Sequence, residues 1–221
     1  MNGWKRGMWL PVLLTGCGSF TSFQTARSLK GGEFQVQATA ANVALNGGTE
    51  VGARVRAGLG KGFEVGAEMD VAATAPPVLI AADAKYQFLS EPEEGQEGGA
   101  PLSAAVNAGA GFGAFSNFFF GQLIASRKFG WIEPYFAYRF QYIDIRLDLD
   151  DPNDRTDIFD SILEEIVKEA NRIDLKLHHF FVGAKVDLGS GFSVTPEISY
   201  IAGDASGLGS VGVGVGYQWE W

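Results

Sequence analysis

The chain has 221 residues, enough for one substantial domain, and its 30 glycines against 8 prolines favour a β-rich protein with many tight turns. A formal net charge of −9 argues against nucleic acid as a partner, because there is no basic face to neutralise phosphates. No apolar run approaches the roughly 18 to 20 residues of a membrane-spanning helix, so a chain that crosses a bilayer must do so as a closed barrel.

The N-terminus has the pattern of an export signal: two basic residues and a short apolar stretch occupy residues 5–14. Residues 14–17, Leu-Thr-Gly-Cys, resemble the lipobox of bacterial lipoproteins. The resemblance implies that Cys17 becomes an acylated N-terminus. An ordinary cleaved signal with a chance cysteine is the alternative. We therefore expect a signal peptide over residues 1–16 and a lipidated tether over residues 17–32.

Ten segments of alternating polarity fill the rest of the chain. Apolar residues at every second position oppose small, polar or charged residues, which is typical of strands with two unlike faces. The segments are residues 33–40, 50–59, 63–71, 78–88, 102–113, 117–128, 132–142, 176–188, 192–200 and 211–221. An even number of strands is expected of a single-chain bacterial barrel. The pattern predicts an all-β, antiparallel, up-and-down barrel over residues 33–221.

The final segment, Val211 to Trp221, has apolar residues at every odd position and Gly, Gln or Glu at every even one, and ends on an aromatic residue. It resembles the closing strand of bacterial outer-membrane β-barrels, whose terminal aromatic residue is read by the barrel-assembly machinery. The resemblance implies a transmembrane barrel in the outer membrane of a Gram-negative bacterium. Its partners would be outer-membrane lipids and that machinery, and its assembly signal would be Tyr217, Trp219 and Trp221.

Connection lengths indicate which end of the barrel faces the periplasm. Tight turns at 60–62, 129–131 and 189–191 all follow even-numbered strands, whereas the longest connection, about 149–175, follows the seventh. Short periplasmic turns and long outer loops are the expected asymmetry, so both termini are predicted to be periplasmic. The acidic connection 90–101 departs from this rule and is predicted to be a solvated periplasmic loop.

A soluble, lipocalin-like barrel in the periplasm is the rival fold, because alternation has the same period in both kinds of barrel. Aromatic residues gather near the predicted strand ends, as they do in the girdles at membrane interfaces. Charged residues of both signs occupy the polar faces of most strands. Both observations favour the membrane.

Charged residues on the polar faces are predicted to line the lumen and pair across it. The turn at 60–62 sets Arg54 opposite Glu68, and the turn at 129–131 sets Arg127 opposite Glu133. The predicted lumenal ion-pair cluster is Arg54, Arg56, Glu64, Glu68, Asp83, Lys85, Arg127 and Glu133. Such a cluster either holds a largely closed barrel together or forms the gate of a narrow channel.

Glycines on two inner walls complicate the prediction of a filled lumen. They lie at positions 109, 111 and 113 of the fifth strand and at 212, 214 and 216 of the tenth. Two bare walls leave room either for a narrow water path or for long side chains from opposite walls to lie against them. The sequence leaves both alternatives open.

Residues 157–172 lie within a predicted loop insertion of about 150–174 and repeat apolar residues at i, i+3 and i+4 spacing. This spacing predicts an amphipathic helix in an extracellular loop, which must bury its apolar stripe. We expect the helix to cap the barrel mouth as a lid. The alternatives are a place in the outer leaflet and the docking of a protein partner.

No catalytic, cofactor or metal site is predicted. The acidic run 148–154 has oxygen ligands for calcium but lacks EF-hand spacing, so a solvated rim is favoured. His178 and His179 are predicted to lie across from Asp144 and Asp148, which resembles the Asp–His pairs of the ten-stranded omptin proteases. A second matching carboxylate pair is missing, and no serine can be placed beside His179 for a lipid hydrolase. A rim enzyme is therefore an alternative and not the preferred interpretation.

Together these patterns predict a lipid-anchored outer-membrane barrel that acts as a structural or interaction protein of the cell envelope, with a largely closed lumen. The alternatives are a narrow channel gated by the ion-pair cluster, a rim enzyme, and a soluble periplasmic barrel.

Overall fold

The structure, a computed structural model, describes residues 21–43, 48–72, 78–92, 99–113, 116–146, 172–203 and 207–220, and every regular element within these ranges is a β-strand. The strands are β1 (Glu33–Val43), β2 (Gly48–Gly60), β3 (Phe63–Ala72), β4 (Val78–Leu89), β5 (Ser103–Phe112), β6 (Ser116–Ser126), β7 (Ile132–Arg146), β8 (Arg172–Gly189), β9 (Phe192–Gly203) and β10 (Gly207–Glu220). Within the described part of the chain, no helix is long and apolar enough to cross a membrane.

Each strand pairs antiparallel with its neighbours in sequence, and β1 pairs with β10, so the sheet closes on itself. The closing pair runs in register from Glu33 opposite Glu220 to Val43 opposite Ser210. The predicted ten-stranded, antiparallel, up-and-down barrel is therefore confirmed. The predicted helix over residues 157–172 lies outside the described residues.

Glycine builds two of the tight turns. Gly60, Lys61 and Gly62 have φ angles of 84°, 53° and 81°, and residues 189–191 repeat this pattern with 85°, 51° and 84°. Glycine adopts such angles without steric cost, which explains why it flanks the central residue in both turns. These turns lie at one end of the barrel with the turn after β6, the start of β1 and the end of β10. We call this the tight-turn end.

Large apolar side chains cover the outside of the barrel. All ten strands expose at least one of them, and Val182 and Ile198 are 59% and 63% exposed. At the tight-turn end, aromatic rings stack on this outer face: Phe63 lies 4.5 Å from Tyr86, and Tyr217 lies 5.9 Å from Trp219, centroid to centroid. Inward positions alternate with these and carry most of the buried polar and charged residues. The barrel is thus apolar outside and largely polar inside.

Toward the opposite end, buried apolar side chains join polar ones such as Glu50 and Asp70. The apolar side chains come from five strands and pack together. They are Leu79, Ala81, Phe118, Phe120, Ile143, Ile145, Leu177 and Ile201. We call this set the apolar cluster.

Residues 21–32, the described part of the predicted tether, run through the interior of the barrel. The side chains of residues 21–26 are all buried, and Ala26 is completely inaccessible to solvent. The segment starts level with the middle of the strands, beside Arg54, and reaches the tight-turn end, where the Gly32 amide donates to the Gly58 carbonyl at 3.1 Å. We call residues 21–32 the lumenal segment. The alternation of polarity in the sequence does not predict this segment.

Candidate functional site: the barrel interior

Two buried ion-pair systems lie on neighbouring strands. Arg54 of β2 stands opposite Glu68 of β3, and its Nη2 lies 2.9 Å from Glu68 Oε2. Both side chains are less than 5% exposed. Because both groups are buried, removing one partner would leave the other as an uncompensated charge in a medium of low dielectric. The two side chains therefore depend on each other.

The second system links four side chains of β2, β3 and β4. Arg56 pairs with Glu64 through Nε and with Asp83 through Nη2, the latter at 2.5 Å. Lys85 Nζ lies 3.1 Å from Glu64 Oε2. All four side chains are at most 5% exposed. Positive and negative groups therefore alternate across the inner wall.

The structure does not bring Arg127 and Glu133 together. Arg127 is exposed, its amide donates to the Pro134 carbonyl, and its guanidinium lies 5.1 Å from the Phe129 ring centroid. Glu133 is buried and accepts a hydrogen bond from Ser126 Oγ at 2.7 Å. The reason is a one-residue slip in the expected register.

That slip comes from the length of the turn. Phe129 pairs with Ile132, so two residues, Gly130 and Trp131, form the turn, where the sequence suggested three. A shift of one residue exchanges the two faces of a strand. Of the eight residues of the predicted cluster, Arg127 therefore faces outward, and Glu133 is buried and accepts its hydrogen bond from Ser126.

Backbone carbonyls of the lumenal segment are held by cations of the barrel wall. Arg54 donates to the Thr21 carbonyl at 3.0 Å and also to the Ser22 carbonyl. Lys85 Nζ donates to the carbonyls of Thr25 and Arg27 at 3.2 and 3.0 Å. The same two cations belong to the ion-pair systems, so the network extends from the wall onto the segment.

Backbone amides of the lumenal segment are held by acceptors of the wall at 2.8 to 3.1 Å. The pairs are Ser22 and Phe23 with Glu197, Ala26 with Ser126, Ser28 with Gln87, and Leu29 with Glu64. Hydrogen bonds that involve an ionised group are about twice as strong as neutral ones. Glu197 accepts two of these five hydrogen bonds, one on each carboxylate oxygen.

Glu197 and its surroundings were absent from the predicted cluster. Tyr135 donates to Glu197 Oε2 at 2.6 Å. Arg139 lies between the rings of Phe120 and Phe181, 4.6 and 5.2 Å from their centroids, and donates to Gln122 Oε1 at 3.2 Å. The sequence does contain a pattern that could have predicted Arg139 and Glu197. On the inward faces of β7 and β9, each stands as a charged residue in a row of small, aromatic or neutral polar side chains.

Aromatic rings cover three of the inward glycines. A methyl group at Gly212 would stand 2.7 Å from Phe23 Cζ. At Gly109 and Gly111 it would stand 2.5 and 2.3 Å from the ring tips of Phe120 and Phe118. The sequence left open a narrow water path or large side chains lying against the glycines. At these positions the structure has large side chains. The rings come from the adjacent strand β6 and from the lumenal segment, where opposite walls were expected.

Neither histidine stands opposite Asp144 in the strand register. His179 is buried opposite Arg139 and stacks on Phe181 at 5.8 Å, whereas His178 faces outward, with Nδ1 2.8 Å from Tyr138 Oη. Asp144 stands opposite Asp174. Adjacent residues of a strand point to opposite faces, so the two histidines cannot share a site. The part of the predicted rim site that includes Asp148 lies outside the described residues.

Several predicted features fall outside the described residues: Cys17, Trp221, Asp148 and the acidic run 148–154. Tyr217 and Trp219 are described and lie on the outer face at the tight-turn end. Across the described ranges, no group of three or more His, Cys, Asp or Glu side chains is placed to hold a metal ion.

An open vestibule of about 1070 Å³ lies at the tight-turn end of the interior. The lumenal segment forms part of its wall through Arg27 and Lys30, and barrel side chains of both signs, such as Lys128, Glu133 and Asp187, form the rest. The interior therefore contains three layers: the vestibule, the segment with its ion pairs, and the apolar cluster.

No protein-family model matches the chain, and no curated protein matches it. Solved structures are similar to it in fold. The N-terminal β-barrel domain of OprF from Pseudomonas aeruginosa has a TM-score of 0.43 and 13% identity, over 86% of this chain and 100% of that one. The KdgM porin in complex with disordered oligogalacturonate has a TM-score of 0.45 and 10% identity, over 83% of this chain and 98% of that one.

The Yersinia pestis outer membrane protein Ail, in a phospholipid bilayer nanodisc, gives a TM-score of 0.41 and 9% identity, over 85% of this chain and 99% of that one. These structures are bacterial outer-membrane β-barrels, the class that the closing strand resembles. At these scores and identities the likeness concerns the form of the barrel, and no ligand or activity is transferred from it.

Proposed function

We propose that this chain is an outer-membrane β-barrel of a Gram-negative bacterium with a filled interior, serving as a structural or interaction protein of the cell envelope. The observation that carries the proposal is the lumenal segment, whose main chain is bound by buried wall residues from Arg54 to Glu197. The proposed role is not enzymatic.

The distribution of polarity supports the membrane location. A soluble lipocalin-like barrel has an apolar interior for its ligand and a polar exterior, and this chain has the reverse arrangement over most of its height. Large apolar groups such as Val55 and Val211 are more than half exposed, while Arg56 and Glu64 are buried inside. Exposed apolar surface on every strand of a closed sheet suits hydrocarbon as its surroundings.

Filling of the interior supports the closed-lumen proposal. The segment occupies the interior toward the tight-turn end, and the apolar cluster, with Phe118 at 2% exposure, occupies the side of β4 and β6 to β9 at the other end. An ion conductor needs a continuous polar path, and large apolar side chains in that path oppose the passage of ions. A narrow channel is the second candidate, favoured by the vestibule, whose mixed charges resemble the entrance to a pore.

The remaining parts of the proposal rest on sequence patterns. Cys17 in its lipobox-like context would be acylated and anchor the chain, since several acyl chains together bind a membrane stably. The tight-turn end would face the periplasm, and Tyr217, Trp219 and Trp221 would be read by the barrel-assembly machinery. The helix predicted over 157–172 would act as a lid or dock a protein partner.

Fractionation tests the location independently of the anchor. We expect the Cys17→Ser chain to stay in the outer-membrane fraction, to require detergent for extraction and to change gel mobility on heating, because the barrel itself spans the bilayer. Extraction by high salt or urea alone would identify a soluble barrel that only its lipid holds. Retention of a small dye by liposomes containing the purified wild-type chain tests closure, and rapid dye release would favour the channel.

A further inference from the structure

We propose that the barrel interior is a binding site for an extended polypeptide, recognised chiefly through its main chain, and that residues 21–32 are its intramolecular ligand. This goes beyond the proposed function, which requires only that the interior be filled. The ligand class follows from the contacts described above, which hold backbone amides and carbonyls more than side chains.

The contacts to the segment come from all around the barrel wall, as expected of a binding site. A tail enclosed by chance would not be matched group by group. Side chains from six strands bind the segment: Arg54 on β2, Glu64 on β3, Lys85 and Gln87 on β4, Ser126 on β6, Arg139 on β7 and Glu197 on β9. Cations contact carbonyls and carboxylates contact amides along the whole segment. The polarity of each wall group thus matches that of the main-chain atom beside it.

The buried charges of the wall also favour a polypeptide ligand. Each buried wall ion needs partners, because an isolated charge in the interior carries a large desolvation penalty. Glu197 obtains two of its three described hydrogen bonds from the amides of Ser22 and Phe23. Lys85 obtains two from carbonyls of the segment and pairs with Glu64. An extended main chain is therefore part of the electrostatic design of this interior.

Two side chains add selectivity. Phe23 packs its ring against Gly212 and Gly214, where no larger residue would leave room for it. Its backbone adopts a φ of 43°, an angle that a bulky residue holds only when its surroundings impose it. Ala26, three residues on, is fully buried in a small apolar cluster that includes Ala137 and Phe181. The site therefore selects an aromatic residue followed at the third position by a small one.

A chain whose segment no longer fits tests the proposal. In this variant residues 21–30 are replaced by glycine and serine at equal length, and heat-dependent gel mobility verifies that the barrel forms. We expect a fluorescent peptide of residues 21–32 to bind this variant saturably in detergent. We expect the wild-type chain to bind it at least tenfold more weakly, because its site is occupied.

Matched variants identify the mode of binding. Glu197→Gln in the substituted chain should weaken the peptide by about tenfold or more, since a charged acceptor contributes about 1.5 to 3 kcal/mol. The Phe23→Ala peptide should also bind more weakly, whereas a Lys30→Ala peptide, altered at an exposed position, should bind as the parent does. The proposal is wrong if the folded variant does not bind, or if Glu197→Gln and Phe23→Ala leave binding unchanged.

If the substituted chain does not form a barrel, thiol labelling of the full-length chain decides. With the parent chain as background for Cys17, Ala26→Cys should resist a water-soluble maleimide while Lys30→Cys reacts, and adding Glu197→Gln should speed labelling at position 26. Equal labelling at both positions, or no effect of Glu197→Gln, overturns the proposal. Both experiments measure binding of the segment. Closure of the lumen is tested separately by dye release, so the two proposals can fail independently.

Discussion

The two ends of the barrel interior are filled by different chemistry. Near the apolar cluster, inward side chains such as Phe118 and Ile143 pack on one another and need no further partner. Toward the tight-turn end, inward charges such as Arg56 and Glu64 satisfy one another and the main chain of the lumenal segment. The comparison teaches that a cluster of apolar side chains is satisfied by its own packing, whereas a cluster of buried charges needs polar partners, here the main chain of the lumenal segment.

The largest effect should come from breaking the charged half. Arg56→Ala removes the partner of both Glu64 and Asp83 and should lower the free energy of unfolding by about 3 to 5 kcal/mol, the usual cost of leaving buried charges unpaired. Denaturant titration in lipid vesicles measures it. The control is Arg127→Ala at an exposed position, which should change stability by less than about 0.5 kcal/mol. Similar losses in both variants would contradict the network.

Breaking the apolar half should cost somewhat less. Phe118→Ala removes a buried ring that covers Gly111, and we expect a loss of about 3 kcal/mol from lost burial and the cavity left behind. The neighbouring Phe119→Ala, which truncates an exposed ring on the outer face, is the matched control and should lose less. A larger loss at position 119 would mean that the outer face, not the interior, stabilises this end.

A larger side chain between the lumenal segment and the barrel wall should lower the free energy of unfolding by a smaller amount. Gly212→Val introduces atoms where a single methyl group would already meet Phe23 at 2.7 Å, so we expect a loss of about 1 to 3 kcal/mol as the ring is displaced. Combined with Ala26→Cys, it should also increase thiol labelling. The matched control is Gly121→Val, where a methyl group meets no atom within 4 Å. No difference between the two glycines would mean that Phe23 does not occupy this position.

The smallest effect on stability is expected at the proposed anchor. Cys17→Ser should abolish incorporation of radiolabelled palmitate and leave the free energy of unfolding unchanged, because the described contacts of the interior are made by residues 21–32 and the barrel wall. The parent chain, labelled in parallel, is the control. Equal incorporation in both chains would rule out acylation at Cys17 and favour an ordinary cleaved signal.

The strands and much of their register could be predicted because both depend on local rules. Alternation identifies the faces, and the glycine-flanked turn at 60–62 is enough to set Arg54 opposite Glu68. The same reasoning misplaced Arg127 because Phe129-Gly130-Trp131 is compatible with a turn of two or three residues. A single-residue difference then exchanged the two faces of the strand end.

The lumenal segment could not be predicted by these rules. Residues 21–30 lack alternation and contain small polar residues, a composition that indicates a solvated linker when it is read alone. Their partners, such as Glu197 and Lys85, are distant in sequence, so the contacts arise only when the barrel closes. The inward glycines were the one available clue, since bare walls such as Gly212 and Gly214 require something large to cover them.

The most direct test of the filled interior is the current through the purified wild-type chain in a planar lipid bilayer, with a general porin as the positive control. With Arg54, Lys85 and Glu197 engaged by the segment and the apolar cluster beyond them, we predict insertion without discrete current steps. Stable, reproducible open-state steps from the wild-type chain would contradict the account and establish a channel.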